Sequence, residues 1–140
     1  MNAQDLIRTS TDTWNRRDRD RDRHLAVHAE DCEVSGPAFS LEGHDGLGEW
    51  WDQYTSAFPD DQITVTRTAV DESSGLAFEE SVIEGTHQRP LVTPHGSQVP
   101  ATGRRVTVPF CTVHQQHDGR IVSSRLYHDL VDLLSQLGLV

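Results

Sequence analysis

The chain has 140 residues, a net charge of −10 at pH 7 and an isoelectric point near 5.1. A chain of this length can bury roughly 68% of its unfolded surface, so we expect one domain spanning the whole chain. The acidic charge argues against nucleic acid and anionic membranes as partners, because both bind basic surfaces. All 12 basic residues are arginine, which excludes a Schiff base on a lysine amine.

Two helices are predicted near the N-terminus. Apolar residues at helical spacing indicate the first from about Ala3 to Trp14. The run Arg16–Arg23 alternates in charge sign and is expected to be a solvated connection. A short second helix follows, on which His24 and His28 share a face at the i, i+4 spacing. Because no third ligand is placed beside them, we expect surface histidines and no metal site.

A short hairpin and a third, aromatic helix come next. The predicted strands are Cys32–Ser35 and Phe39–Gly43, and the helix runs from His44 to Phe58, where Pro59 ends it. The aromatic rings of the helices either pack on a sheet or line a pocket for a flat apolar ligand. The candidates for ligand contact are Trp14, Trp51 and Tyr54.

Four long antiparallel strands are predicted in the second half of the chain. They are Gln62–Val70, Leu76–Thr86, Arg104–His117 and Arg120–Asp129. The Asp118-Gly119 pair predicts a tight hairpin turn between the last two strands. The punctuated segment Gln88–Gly103 is expected to be a long loop, a feature that is usually functional or mobile in a small domain.

The last strand carries a chemically suggestive series. Strand alternation places Arg125, Tyr127 and Asp129 on one face, and Ser124 and Leu126 on the other. Tyr127 lies about 6.6 Å along the strand from Asp129, so its hydroxyl could donate to a developing enolate. Arg125 is about 13 Å from Asp129, so it is expected to meet a substrate oxygen or an acidic residue on a neighbouring strand.

Several short motifs, in this order and spacing, resemble the SnoaL-like polyketide cyclases, and the similarity runs from His44 to Val140. The motifs are Phe58-Pro59-Asp60, Glu84-Gly85-Thr86-His87, Pro100–Val106, Asp118–Val122, and Asp129 with Leu133–Gly138. The resemblance implies an α+β cone of the nuclear-transport-factor-like type, in which a curved antiparallel sheet wraps around N-terminal helices and an apolar cavity. It also implies intramolecular aldol ring closure in a hydrophobic polyketide, without metal or cofactor.

The resemblance also assigns residues. The acid/base aspartate of the family matches Asp129, whose pKa burial would have to raise toward neutrality. The family's histidine aligns with Thr112, and His114, two residues along the same face, could substitute for it. The glycine that follows the Thr-His pair in the family is replaced by Gln88-Arg89. The expected substrate contacts on these strands are His87, Phe110, Thr112 and Tyr127.

Three alternatives stay open at this point. Asp129 is equally suited to cap a helix that begins near Leu130. Relatives of the same fold open epoxides or assist hydroxylation, which would favour a cluster of Arg125 with Asp129 or Asp132. The domain could also be a non-catalytic module that binds a small hydrophobic molecule. By analogy we expect a homodimer paired across the outer sheet face. No apolar stretch reaches the ~20 residues of a membrane span and no signal peptide is recognised, which predicts a cytoplasmic protein.

Overall fold

The computed structural model describes residues 1–15 and 20–140, so residues 16–19 of the predicted charged connection lie outside the described residues. The helices are α1 (Ala3–Asn15), α2 (Arg21–Ala26), α3 (Gly43–Ala57) and α4 (Leu130–Gln136). The strands are β1 (His28–Gly36), β2 (Phe39–Glu42), β3 (Gln62–Asp71), β4 (Leu76–Thr86), β5 (Leu91–Val92), β6 (Gln98–Val99), β7 (Arg105–His117) and β8 (Arg120–Tyr127).

Six of the strands form one curved sheet in the order β2-β1-β8-β7-β4-β3. All neighbours are antiparallel except β1 and β8, which run parallel. The predicted four-stranded meander is therefore widened to six strands, because the early hairpin β1–β2 joins the edge of the last strand. The α+β class and the curved sheet with N-terminal helices are confirmed.

Local turn chemistry fixes the connections. Asp118 and Gly119 both have positive φ, at 50° and 74°, as the predicted tight turn requires. The predicted loop at 88–103 contains the small hairpin β5–β6. Backbone hydrogen bonds from His87 to Arg104 and from Gly103 to His87 close the base of this segment.

Three apolar clusters hold the helices on the concave side of the sheet. Leu6 and Ile7 of α1 pack with Ala77 and Ile121 of the sheet. Leu47 of α3 belongs to a second cluster, with β1 and β2. The third joins the end of α3 to β7 and to the C-terminal helix, and its buried members are Ala57, Phe58, Val106, Val108 and Leu137. No helix in the described part of the chain is both long and apolar enough to cross a bilayer.

The expectation of surface positions for His24 and His28 is wrong. The two side chains are only 5% and 4% exposed. The helix ends at Ala26, so His28 begins β1, and its ring lies over the end of α2 with Nδ1 2.8 Å from the His24 carbonyl oxygen. The helical spacing used for the prediction therefore does not apply to this pair.

Candidate functional site

The middle of the inner sheet face is polar, whereas its ends are apolar. Five polar side chains on β4, β7 and β8 are each no more than 7% exposed: Glu79, Ser81, Thr112, His114 and Ser124. The strand register places them together, since Glu79 pairs with Thr112 and His114 pairs with Ser124. A buried carboxyl group among such neighbours is unusual, because ionisable side chains are rarely buried without a partner.

His114 links a carboxylate to a hydroxyl. Its Nε2 lies 2.9 Å from Glu79 Oε1 and its Nδ1 lies 2.8 Å from Ser124 Oγ. A carboxylate only accepts hydrogen bonds, so Nε2 carries the proton toward Glu79. In a neutral ring Nδ1 then accepts from the Ser124 hydroxyl, and in a protonated ring it donates to the same oxygen. The arrangement therefore tolerates both charge states of His114.

Glu79 has no other hydrogen-bond partner in residues 1–15 and 20–140. Its side chain forms part of a groove of about 450 Å³ between α1 and β3. Ile7, Ile63 and Val65 give this groove an apolar lining, and Thr11 and Thr68 add hydroxyl groups. A carboxyl group with one partnered oxygen and access to a groove can act as a proton acceptor or donor.

Two further histidines lie deeper in the interior and are kept neutral. Burial, and to a lesser extent the nearby His28, lowers the pKa of His24 to about 3. Burial also lowers the pKa of His28 to about 4, with repulsion from His114 and His44 as smaller causes. His24 lies 3.0 Å from the Thr13 hydroxyl and 3.0 Å from the Ser10 carbonyl oxygen. Both contacts are made by Nδ1, which can donate to the Ser10 carbonyl oxygen in an uncharged ring.

Aromatic rings from α1 and α3 pack against one another. Trp14 contacts Trp51, Tyr54 and His24 at centroid distances of 5.0, 5.5 and 5.7 Å. The Trp14 Nε1 donates to Asp61 Oδ2 at 2.7 Å, and both residues are buried. The structure thus shows Trp14 and Trp51 packed among protein groups, and Tyr54 half-buried beside them.

Comparison with known proteins identifies the family. The family model described as the SnoaL-like domain matches residues 7–124, most of the chain. The chain belongs to the SnoaL-like family. No match was found among curated protein sequences.

Solved structures share the SnoaL-like fold along almost the whole chain. A protein from Jannaschia sp. CCS1, provisionally named a SnoaL-like polyketide cyclase, aligns with a TM-score of 0.82 and 18% identity over 99% of this chain and 92% of its own. IdmH from Streptomyces antibioticus, provisionally named a polyketide cyclase, aligns with a TM-score of 0.75 and 25% identity over 97% of this chain and 98% of its own. An LEH-like epoxide hydrolase from M. tuberculosis aligns with a TM-score of 0.71 and 17% identity over 96% of this chain and 88% of its own.

The series on the last strand does not face the interior of this SnoaL-like domain. Arg125, Tyr127 and Asp129 are all exposed, Tyr127 by 56%. Asp129 caps α4, where its carboxylate accepts the backbone N–H of Asp132 at 3.0 Å. The expectation that Asp129 is buried against a cavity is therefore wrong. Alternation separated the two faces correctly for these residues, but it could not show which face was inner.

The other predicted site residues lie in two separate regions of the interior. His114, Thr112 and Phe110 lie on the inner face of β7 beside Glu79 and Ser81. His87 is fully buried but lies eight residues along β4 from Glu79, about 26 Å away for an extended strand. Its ring stacks on Phe58 at 5.1 Å and its Nδ1 accepts the Thr102 N–H at 3.3 Å.

Sequence reasoning missed Glu79, because alternation on β4 pointed to the opposite face. On β4, Glu79 shares a face with Ala77 and Ser81, while Phe78 and Val82 share the other. The usual rule would place the large apolar side chains inside. The structure does the reverse, and Phe78 is 45% exposed. Among the described residues, no three His, Cys, Asp or Glu side chains are grouped to hold a metal ion.

Proposed function

We propose that this SnoaL-like protein is a cofactor-independent enzyme that closes a ring in a small hydrophobic, polyketide-like molecule by intramolecular aldol addition. The observation that carries the proposal is the buried Glu79 carboxyl group, bound to His114 and lining an apolar groove. In this scheme Glu79 takes the acid/base role that the sequence assigned to Asp129. The family membership supports the substrate class.

The proposed reaction needs one proton acceptor that later becomes a donor. Glu79 takes a proton from a carbon next to a substrate carbonyl, which leaves an enolate. The enolate carbon attacks a second carbonyl carbon of the same molecule, forming the new C–C bond. The protonated Glu79 then returns its proton to the resulting alkoxide, so no atom is gained or lost.

His114 orients the Glu79 carboxylate during these steps. Its Nε2–H donates to one carboxylate oxygen and leaves the other oxygen for the substrate. The ring also holds Glu79 in one orientation, because Ser124 fixes its opposite nitrogen. Positioning of this kind lowers the barrier by removing the need for reorganisation during proton transfer.

Hydrogen–deuterium exchange tests the proton transfer without knowledge of the natural substrate. Aryl β-keto esters are incubated in D₂O with protein, and exchange at the carbon next to the carbonyl is followed by NMR. We expect the wild type to accelerate exchange and Glu79→Gln to lower that rate at least about 100-fold, the usual contribution of a general base. The matched control is Glu80→Gln, since Glu80 is the exposed neighbour on the opposite strand face. Equal rates for the wild type and Glu79→Gln would remove Glu79 from the chemistry.

Epoxide opening by water is the second candidate. The same carboxylate would then take a proton from water while the water oxygen attacks an epoxide carbon and the ring C–O bond breaks. It would return that proton to the released alkoxide, and the water oxygen would remain in the product. The cluster of Arg125 with Asp129 or Asp132 that this reaction was expected to use does not lie in the interior, because all three residues are exposed. Incorporation of ¹⁸O from labelled water would support hydrolysis over ring closure. A protein that binds these compounds but promotes neither exchange nor hydrolysis would be a binding module.

A further inference from the structure

Helix α1 is fixed to the sheet at both of its ends. At its N-terminus the Glu72 carboxylate accepts the backbone N–H groups of Ala3 at 2.9 Å and Gln4 at 3.4 Å. At its C-terminus the Asn15 side chain forms two hydrogen bonds with the backbone of Ile63, each 2.8 Å long. A helix of 13 residues is about 20 Å long. Because these anchors lie near the two ends of β3, the middle of the helix runs alongside this strand.

The strand beneath this helix has an uncovered inner face. A bulge between Val65 and Arg67 shifts the alternation of β3 by one residue. Val65 pairs with inward-facing Ser81, and beyond the bulge Thr68 pairs with inward-facing Glu79. Val65 nevertheless remains 36% exposed. The groove occupies this gap, and Glu79 forms part of its wall.

The side chains that line the groove indicate which molecules can enter it. Its carboxylates among the described residues are Asp12 and Glu79. Of the arginines that the structure describes, Arg8 contributes to the lining, and its guanidinium lies 3.2 Å from the carboxylate of Asp5. A negative lining repels anions, while the apolar side chains and hydroxyl groups favour an uncharged molecule with an apolar face and hydrogen-bonding edges.

We propose that the groove between α1 and β3 is the route by which substrate reaches Glu79, and that it admits uncharged apolar molecules in preference to anions. This inference rests on the proposed function, because it gives Glu79 as the destination. It adds the entrance, the residues that set its width and the charge class of the substrate. Val65 and Thr68 are the specificity-determining positions, since both line the groove from the inner face of β3 and Thr68 pairs with Glu79.

Chemical labelling of carboxyl groups tests the route. The full-length protein is treated with a water-soluble carbodiimide and glycinamide, and the amide formed at each carboxyl group is quantified by peptide mass spectrometry. We expect slow but measurable labelling of Glu79 in the wild type, and at least a fivefold lower rate in Val65→Trp, whose indole would fill the groove. Glu80 serves as an internal reference because it is adjacent and exposed.

The control places the same side chain on the other face of β3. Ala69 is exposed and pairs with outward-facing Phe78, so Ala69→Trp should leave Glu79 labelling unchanged. Asp61 is 1% exposed, and its protection in each variant shows that the fold is intact. If Val65→Trp does not fold, Thr68→Phe tests the same point. The proposed route would be overturned if a folded groove-filling variant labelled Glu79 as fast as the wild type does. It would also be overturned if Glu79 of the wild type were not labelled at all while Glu80 reacts.

Protection from labelling tests the charge class. We expect 2-naphthalenemethanol to slow the labelling of Glu79 at least threefold more than naphthalene-2-sulfonate at the same concentration. Equal protection by both compounds, or protection by neither, would contradict the proposed preference. Labelling does not depend on turnover, so the two proposals can be tested separately. Exchange that continues in Glu79→Gln would contradict the catalytic role of Glu79. Unchanged labelling of Glu79 in Val65→Trp would contradict only the proposed entrance.

Discussion

The pairing of Glu79 with His114 places two ionisable side chains in the interior. Moving a carboxylate and an imidazole out of water carries a large desolvation penalty, which mutual hydrogen bonds offset only in part. Both side chains are nevertheless less than 10% exposed. Apolar residues at these positions would form a simpler core, so the presence of the pair is consistent with a chemical role.

Removing one partner of this pair should cost more stability than removing both. We expect His114→Phe to lower the free energy of unfolding by about 3 kcal/mol, because Glu79 loses its hydrogen-bond partner inside the protein. The double variant Glu79→Met/His114→Phe should regain much of that loss. Urea denaturation of the two single variants and the double variant gives the coupling energy. Additive losses would show that the two groups do not interact.

Stability should also fall in mild acid because of His24 and His28. In the unfolded chain each ring binds a proton below pH 6.5, whereas in the folded state burial lowers the pKa values to about 3 and 4. The unfolded state therefore binds more protons as the pH falls below 6.5. We expect each ring to remove roughly 2 kcal/mol of stability between pH 7.5 and pH 5.

Urea denaturation at the two pH values measures this loss. His24→Phe should reduce it by about half, since one of the two rings no longer titrates. His117→Gln is the matched control, because the His117 side chain is 74% exposed. A pH dependence that is the same in all three proteins would contradict the assignment to the buried rings.

At the scale of the elements, two bulges decide which residues face inward. In β3 strict alternation would place Arg67 and Ala69 with Ile63 and Val65. The bulge reverses this, and Arg67 turns outward to form an ion pair with Glu80 at 3.0 Å. In β8 a second register shift turns Ile121 inward, where it is fully buried, although alternation grouped it with Arg125. One extra residue in a strand moves every later side chain to the other face.

Asp129 is the N-cap of α4, and two substitutions distinguish this capping role from a catalytic one. Asp129→Ala should lower the free energy of unfolding by about 1 kcal/mol, because the helix loses its N-cap hydrogen bond. Asp129→Asn should be nearly neutral, since asparagine caps helices as well as aspartate does. Thermal denaturation and the exchange assay test both variants. Loss of exchange in Asp129→Asn would restore Asp129 as the acid/base group.

At the scale of the whole molecule, the outer sheet face is the surface that we propose for homodimerisation. Two cross-strand rows lie side by side on it, Phe78–Val113–Arg125 and Glu80–Cys111–Tyr127. Phe78 and Tyr127 are 45% and 56% exposed, which is high for large rings near the centre of a sheet. A second copy presents the same apolar centre, as a two-fold interface requires.

Sedimentation velocity tests the pairing. We expect a dimer for the wild type at micromolar concentration and a monomer for Phe78→Asp, because a carboxylate at the centre of the interface would lose its hydration. Val131→Asp is the control, since Val131 is 64% exposed on α4, away from the sheet face. A monomeric wild type, or a Phe78→Asp protein that remains dimeric, would show that this face is not the interface.

The sequence by itself determined the elements and the family, because these depend on local patterns. Helical spacing located α1 and α3, the Asp118-Gly119 pair fixed its turn, and short motifs were enough to indicate a SnoaL-like fold. Only the tertiary structure decided the site. Which face of β4 or β8 is inner depends on strand order and on single-residue bulges, which involve partners distant in the chain. For that reason Asp129, conspicuous in the sequence, lies at the surface, while Glu79 lies inside with His114.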